Sequence, residues 1–249
     1  MKLLGSGAKT AYYYKKIQGF APHWKLRYKF KCKSTEYELT NWLKDYPIKK
    51  HKPIVIITKE QFLGFGQNSR QWLSPKGGIW LSAAYPIFSN KFSSEILSLS
   101  FAIKLCEMLN NESIKVQLKW PNDIFFGSKK LIGFLPRVIT RGKEVSYVRI
   151  GLGMNFLNKT PPEGISLCEI LNTKQICQNY WTEKILKTIY EAIYCNEKKE
   201  YIIEEANKFL IKKILPSGYS SSDWSIIDID NNGNLRIQNK TNKKTLIRF

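Results

Sequence analysis

The stretch Lys119-Trp120-Pro121-Asn122-Asp123-Ile124, with Lys129-Lys130-Leu131-Ile132-Gly133 shortly after it, decides the fold of this 249-residue chain. Its composition predicts strands over 115–120, 123–126 and 130–135, with Gly127-Ser128 as a hairpin turn between the last two. Two strand-borne lysines beside Asn122 and Asp123 suit the phosphate and base of a nucleotide. The alternative is an ordinary turn that Asp123 caps, flanked by solvated lysines.

A glycine-punctuated loop is predicted from Gln61 to Lys76, after a buried strand over 52–58. It contains Gly64-Phe65-Gly66-Gln67-Asn68-Ser69-Arg70-Gln71-Trp72. Glycines let backbone N–H groups approach an anion closely, and Arg70 offers a guanidinium for a bidentate grip on a phosphate. A plain surface turn is the alternative, because short glycine motifs are common.

Two further segments carry polar or glycine residues at positions of interest. Ser34 and Thr35 begin a predicted amphipathic helix, and their simplest role is to cap its first turn. Ile150-Gly151-Leu152-Gly153-Met154-Asn155 lies in a predicted strand over 145–156 and interrupts it. A β-bulge would explain these glycines without a ligand.

The order of the predicted elements is that of an α+β protein. A strand over 78–85 and helices over 93–109 and 181–194 complete the pattern. Because the strands cluster in hairpins rather than alternate with helices, we expect a mixed sheet flanked by helices. Short strand-like pieces around Asn231-Asn232-Gly233 predict a small β appendage over Ser217–Phe249.

The chain is strongly basic, with 40 Lys and Arg against 20 Asp and Glu and a formal charge of +20. Only seven of the 40 are arginine, which leaves 33 lysines spread along the sequence. Nucleic-acid readers rely on arginine forks and clustered basic faces. We therefore interpret the charge first as a lysine-rich surface, with a field that attracts polyanions as the alternative.

Composition also bounds the location of the protein. The longest apolar runs are far below the roughly 18 residues of a membrane span, and the N-terminus lacks the apolar core of a secretory signal. Five scattered cysteines with no C-x-x-C pair fit neither a disulfide framework nor a structural zinc site, and buried thiols are expected. The sequence predicts a cytoplasmic protein with no membrane segment.

In their order and spacing, these four segments resemble the catalytic domain of biotin protein ligases, which has a class II synthetase-like fold. The resemblance covers Lys31 to Phe156 well, and Lys119–Asp123 with Lys129–Gly133 is its most specific part. It implies that biotin and ATP condense to biotinyl-5′-AMP and pyrophosphate. The biotinyl group then passes to one lysine of the biotin carboxyl carrier protein of acetyl-CoA carboxylase.

The resemblance also implies roles for individual residues. The residues expected to contact biotin are Ser34, Thr35, Gln61, Gly64, Phe65, Gly66, Gln67, Lys130, Gly133 and Gly151. Those expected to contact ATP are Arg70, Trp72, Lys119, Asn122 and Asn155. The expected catalytic residues are Lys130, Asp123 and Arg70. Mg²⁺ is expected to bind mainly through the phosphates, with Asp123 as a candidate protein ligand.

The chemistry of such a reaction agrees with these residue types. A carboxylate that attacks a triphosphate brings two anions together, so cations such as Lys130, Lys119 and Arg70 must offset their repulsion. The acceptor lysine, with an ordinary pKa of about 10.4, must lose a proton, and Asp123 is the candidate base. The Gly64–Ser69 segment is expected to close over the hydrolysable adenylate.

Three departures from the family pattern stand out. The loop usually reads Gly-Arg-Gly-Arg-x-Gly-Arg, so Phe65 and Gln67 replace two arginines, and each charge-assisted hydrogen bond is worth about 1.5–3 kcal/mol. Glu36 replaces the asparagine of Ser-Thr-Asn, and Arg137 replaces a glutamate. Looser retention of the adenylate, or compensation by lysines, is expected.

The resemblance assigns residues 1–216 to the catalytic domain, with 1–33 as an N-terminal extension, and 217–249 to a shortened SH3-like domain. Residues 1–33 are too few for a winged-helix domain, so a monomeric or homodimeric ligase without specific DNA binding is expected. A lipoate or octanoate protein ligase shares the fold and the acyl-adenylate chemistry, but Lys119–Asp123 argues against it. A basic nucleic-acid-binding module is the alternative that the charge suggests.

Overall fold

A computed structural model describes residues 25–45, 52–67, 70–87, 94–141, 144–194 and 198–247. These residues form strands and helices in an α+β arrangement, as predicted. The elements are β1 (Lys25–Lys29), α1 (Thr35–Asp45), β2 (Ile54–Thr58), β3 (Ile79–Pro86), α2 (Ser94–Asn110), β4 (Gln117–Lys119), β5 (Asp123–Phe126), β6 (Lys129–Arg141), β7 (Glu144–Met154), α3 (Leu167–Ile170), α4 (Gln178–Tyr194), α5 (Lys199–Phe209), β8 (Ser225–Ile229), β9 (Leu235–Gln238) and β10 (Lys243–Leu246).

The chain divides into two compact units. The described residues form two sheets, of which the larger has seven strands. The first unit comprises the described residues of Met1–Lys91 and Leu131–Lys187. Within it the strands lie in the order β1-β2-β3-β7-β6, with β1 parallel to β2 and the other neighbours antiparallel. Every residue of β2 and β3 is buried, because both strands are nearly continuous apolar runs. Leu39 and Trp42 of α1 pack on Ile54 and Ile56 of β2.

The second unit comprises the described residues of Phe92–Lys130 and Thr188–Phe249. The helix α2 is apolar on most of its surface, so it is buried and packs against α5 and the antiparallel pair β4–β5. The three C-terminal strands form an antiparallel sheet in the order β10-β9-β8. Residues 217–249 therefore contain the predicted β appendage, whereas its division from the catalytic domain at residue 216 stays a prediction.

Most predicted elements are present, and the differences have physical causes. Strand β5 and the turn at Gly127-Ser128 are confirmed. Strand β6 is much longer than predicted, because β7 pairs with it as far as Arg141. The predicted interruption of β7 at Gly151 and Gly153 is wrong, since its register with β3 and β6 is continuous at both residues. The prediction missed three elements: β1, α3 and α5.

The cysteine prediction is confirmed in part. Cys32 and Cys106 are buried, but Cys177 is exposed because it lies just before α4. Burial raises the pKa of both buried thiols, which keeps them protonated and weakly nucleophilic. Across the described ranges, every helix is too short or too polar to cross a membrane.

Candidate active site

A connected set of hydrogen bonds joins three segments of the first unit. The backbone N–H and the hydroxyl of Thr35 both donate to Gln61 Oε1, at 2.7 and 3.0 Å. Ser82 of β3 donates its hydroxyl to Thr35 Oγ1 at 2.8 Å. Gln61 Nε2 donates to Ser74 Oγ at 2.7 Å, and Ser74 Oγ donates to the carbonyl of Trp72 at 3.1 Å. The start of α1, the glycine-rich segment and β3 are thereby fixed to one another.

The network leaves a donor available at Gln61. Thr35, Ser74 and Ser82 are buried, whereas Gln61 is half-exposed. Among the described residues, Gln61 Nε2 uses one of its two N–H groups for Ser74. The second N–H is therefore available to a ligand oxygen at the edge of the network. This position suits a carbonyl oxygen better than an apolar group.

Within the predicted loop, the glycine-rich segment forms a small hairpin. The N–H of Trp72 donates to the carbonyl of Gly64 at 2.9 Å, and the N–H of Gly66 donates to the carbonyl of Arg70 at 2.7 Å. At its base, the N–H of Gln61 donates to the carbonyl of Ser74 at 3.0 Å. If this segment closes over a ligand, the movement would therefore begin from a hydrogen-bonded hairpin. Asn68 and Ser69 lie outside the described residues.

Glycines of β6 and β7 leave part of the sheet without side chains. Gly133 and Gly153 are register partners, and Gly151 lies two residues before Gly153 on the same face. A Cβ on Gly153 would lie 2.5 Å from Trp72 Nε1, so only glycine admits this indole ring. A Cβ on Gly151 would lie 3.2 Å from Glu36 Oε1. These contacts explain the G-x-G spacing better than the bulge considered above.

Glu36 forms a buried ion pair with Arg149 of β7. Arg149 Nη2 lies 3.0 Å from Glu36 Oε2 and 2.8 Å from the Glu36 carbonyl. It also lies 3.0 Å from the hydroxyl of Thr40. Within the described residues, Glu36 Oε1 has no hydrogen-bond donor. Glu36 stands where the family pattern has an asparagine. An arginine of the sheet compensates its negative charge through Oε2 only.

Asn155 lies at the end of β7 and is buried. Its N–H donates to the carbonyl of Leu131 at 3.0 Å, and its Oδ1 accepts from Asn158 Nδ2 at 3.0 Å. Leu131 directly follows Lys130 in the chain, so this bond fixes the backbone beside that lysine. Asn155 thus joins the residue after β7 to the start of β6 within the first unit, and its expected contact with ATP stays a prediction.

In the second unit, two expected cations flank one carboxylate. Lys130 Nζ lies 2.6 Å from Asp123 Oδ1, and Lys119 is the register partner of Asp123. Lys119 Nζ lies 5.2 Å from the centre of the Phe125 ring, and Asn122 is buried. Lys130 is therefore paired with Asp123, and the choice between a nucleotide site and an ordinary turn stays a prediction.

Two hydrogen bonds hold the turn that carries Asn122 and Asp123. Ser98 of α2 donates its hydroxyl to the carbonyl of Pro121 at 3.0 Å. The indole of Trp120 donates to the carbonyl of Gly233 at 2.9 Å, and Gly233 lies in the turn between β8 and β9. The C-terminal sheet thus supports the turn through the tryptophan of the motif.

The remaining expected residues are placed as follows. Ser34 is buried, and its carbonyl accepts the N–H of Glu38 at 3.0 Å, as at the start of a helix. Phe65 and Arg70 are exposed on the hairpin, and the carbonyl of Gln67 accepts the N–H of Arg70. In the part of the chain that the structure describes, no group of three or more His, Cys, Asp or Glu side chains is placed to hold a metal.

Three residues that contact the candidate site carry no direct signal in the sequence. Ser82 lies in a fully buried strand, and Ser74 lies at the base of the hairpin, opposite Gln61. Arg149 is 113 residues from Glu36. Only the polar identity of Ser82 and Arg149 within apolar strands could have drawn attention to them.

The sheet, its helices and the small C-terminal sheet define the fold of a biotin protein ligase catalytic domain. A biotin protein ligase from Aquifex aeolicus, solved in complex with biotin and ATP, superimposes with a TM-score of 0.70, covering 90% of this chain and 96% of that one at 22% identity. The family model of the biotin/lipoate A/B protein ligases matches residues 31–155. The chain belongs to the biotin/lipoate A/B protein ligase family.

Curated relatives share a shorter segment with this chain. The bifunctional ligase/repressor BirA of Escherichia coli is 30% identical over 111 residues, which are 44% of this chain and 35% of BirA. The biotin–[acetyl-CoA-carboxylase] ligase of Paracoccus denitrificans is 27% identical over 103 residues, 40% of this chain and 43% of that protein. The matches thus span less than half of each relative.

The hairpin geometry predicts different consequences for its two glycines. A Cβ at Gly64 would lie 2.6 Å from the carbonyl oxygen of Trp72, whereas among the described residues one at Gly66 would meet only the Arg70 carbonyl, at 3.7 Å. We expect Gly64→Ala to open the hairpin and to speed hydrogen exchange of the Trp72 amide at least tenfold. Gly66→Ala is the matched control and should leave that rate unchanged. Equal exchange rates in the two variants would contradict the steric argument.

The buried ion pair predicts a non-additive effect on stability. Arg149→Met leaves the Glu36 carboxylate buried without compensation, and we expect the free energy of unfolding to fall by about 3–5 kcal/mol. Glu36→Leu combined with Arg149→Met removes both charges and should recover part of that loss. Urea unfolding of the single and double variants measures the coupling. A strictly additive double variant would show that the pair is not coupled.

Proposed function

We propose that this protein is an ATP-dependent biotin protein ligase. It activates biotin as biotinyl-5′-AMP and transfers the biotinyl group to the lysine of a biotin carboxyl carrier domain, as the family resemblance implies. Membership of the family and similarity to a biotin–[acetyl-CoA-carboxylase] ligase support the reaction class. The observation that carries the choice of biotin is the Thr35–Gln61 network, because it offers polar contacts to the head group of the acid.

The polar network distinguishes biotin from the other acids that this family uses. Biotin has a cyclic urea with one carbonyl and two N–H groups, whereas octanoate and lipoate have no such polar head. An apolar head beside Gln61 would leave its second N–H without a partner, which costs about 1–3 kcal/mol. The available Gln61 N–H and the buried oxygens near it favour the urea.

The Lys130–Asp123 pair suits the activation step. The carboxylate of the acid must approach the α-phosphate, and a lysine ammonium offsets the repulsion between them. Asp123 holds the Lys130 ammonium at 2.6 Å, which orients it before substrates bind. Lys119 adds a second cation on the neighbouring strand. Asp123 remains our candidate base for the acceptor lysine in the transfer step.

Mg²⁺ fits this site only when it is bound to the phosphates of ATP. Asp123 is already paired with Lys130, and the described residues offer no carboxylate cluster to form a protein cage. Mg²⁺ usually binds one or two carboxylates together with phosphate oxygens and water. When bound to ATP it would neutralise phosphate charge, and the residues of this chain would act on the acid and the acceptor.

A reconstituted assay tests the proposed function directly. The full chain is incubated with ATP, Mg²⁺, a biotin carboxyl carrier domain and equal concentrations of biotin, lipoate or octanoate. We expect pyrophosphate release and a mass increase of one carrier lysine with biotin, and neither with lipoate or octanoate. Lipoylation without biotinylation would establish the alternative ligase, and absence of any acyl transfer would refute the proposal.

The two residues of the ion pair should affect different steps. Lys130→Ala removes the cation at the activation step and should slow adenylate formation by about 10²–10³-fold. Its exposed neighbour provides a matched control, because Lys129→Ala should change the rate less than twofold. Asp123→Asn should slow the transfer from preformed biotinyl-5′-AMP to the carrier in a single turnover. An unchanged transfer rate would exclude Asp123 as the base.

A further inference from the structure

A patch of exposed apolar and basic side chains lies on the first unit. It is formed by three segments, 29–33, 59–63 and 73–76, and we call it the Phe30 patch. Its members are Phe30, Phe62, Leu63, Leu73, Lys31, Lys33, Lys59 and Lys76. Backbone hydrogen bonds join the three segments. The N–H groups of Lys59 and Leu63 donate to the carbonyls of Lys29 and Lys33, at 3.1 and 2.9 Å. The N–H of Gln61 donates to the carbonyl of Ser74 at 3.0 Å.

The aromatic rings connect the segments through their side chains as well. Lys59 Nζ lies 5.0 Å and Lys76 Nζ 5.6 Å from the centre of the Phe30 ring. Lys31 Nζ lies 5.9 Å from the Phe62 ring. These distances are within the range of a cation–π attraction. Two lysines therefore lie over the Phe30 ring and a third lies near the Phe62 ring, so that basic and apolar side chains alternate on these segments.

The apolar members are unusually exposed. Phe30 is 59% exposed and Leu73 57%, and more than half of Phe62 and of Leu63 is also exposed. Single exposed apolar residues are ordinary, but a contiguous group rimmed by charge marks an interaction site. An apolar centre with a polar rim is also the usual anatomy of a protein–protein interface.

The charge of the patch favours an acidic partner. The three segments contain five lysines, at 29, 31, 33, 59 and 76, and one acid, Glu60, which gives a net charge of +4. Lys31 Nζ lies 3.3 Å from Glu60, and Lys29 pairs with Glu38. The remaining positive charge faces solvent and attracts an acidic surface.

The patch also borders the Thr35–Gln61 network. Ser34 and Thr35 directly follow the first segment, and Gln61 lies within the second. A partner seated on the patch would therefore lie beside the site that we propose for biotin. We propose that the Phe30 patch is the docking surface for an acidic protein domain that presents the acceptor lysine. This inference rests on the proposed function, since it names the surface that receives the carrier.

A pair of triple variants with equal net charge tests the patch. Phe30→Ala, Lys59→Glu and Lys76→Glu remove one exposed aromatic ring and reverse two lysines of the patch. Tyr201→Ala, Lys198→Glu and Lys199→Glu do the same on α5 and the residue before it, where all three residues are exposed. Both variants lower the net charge by four, so nonspecific attraction changes equally. Neither set includes a residue that we place in the site.

Two measurements keep the inference separate from the proposed function. Titration calorimetry measures the binding of an acidic biotin carboxyl carrier domain, which needs no chemistry. The patch variant should bind at least tenfold more weakly than the unaltered protein, and the α5 variant less than twofold. If the protein forms biotinyl-5′-AMP, pyrophosphate release without carrier should be equal in all three proteins. The apparent KM for the carrier should then rise at least tenfold in the patch variant alone.

The same variants show whether the inference fails and whether a membrane or a second copy of the chain binds the Phe30 patch instead. Unchanged carrier affinity in the patch variant would overturn the inference. So would equal weakening in the two variants, since net charge would then explain the binding. Loss of binding to phosphatidylcholine vesicles with 20% phosphatidylserine, with carrier affinity intact, would assign the patch to a membrane surface. A change from dimer to monomer at unaltered carrier affinity would assign it to a second copy of the chain.

Discussion

The candidate site depends on the hydrogen bonds of the Gln61 carboxamide. Its oxygen accepts both the N–H and the hydroxyl of Thr35, and its nitrogen donates to Ser74. These bonds connect residues that are 26 and 13 positions away from Gln61 in the sequence. A buried polar network is stabilising only when its members are satisfied together. The start of α1 and the base of the hairpin are therefore expected to be ordered jointly, and a ligand that bonds the remaining Gln61 N–H would complete the same network.

Gly151 and Gly153 impose a second constraint, because they leave space on one face of β7 for side chains from other segments. Gly153 admits the Trp72 indole, and the space at Gly151 is bordered by the Glu36 carboxylate. A carboxylate in this buried position needs a cation, and Arg149, two residues before Gly151, provides one. Glu36 and Arg149 therefore compensate each other. The departure from the family asparagine is explained by packing and charge compensation within the first unit.

The sequence predicted what depends on neighbouring residues and missed what depends on distant ones. The turn at Gly127-Ser128 and the start of α1 follow from local rules, and both are confirmed. The sequence indicates only a loop at Gly64, because the backbone bonds of the hairpin depend on register, which glycine content does not reveal. The hydrogen bond from Trp120 to Gly233 joins residues 113 positions apart, so the motif alone could not indicate that the C-terminal sheet supports its turn through the tryptophan.

The lysines of this chain lie in two different environments, which are defined by the nearest carboxylate or aromatic ring. Lys130 lies against the Asp123 carboxylate, so its ammonium has a fixed position and a reduced field at a distance. Lys59 and Lys76 lie over the Phe30 ring, which orients them but leaves their charge uncancelled. A total charge of +20 cannot distinguish these cases, because it counts every lysine equally. The position of each ammonium relative to carboxylates and rings separates the cations suited to chemistry from those suited to attracting an acidic carrier.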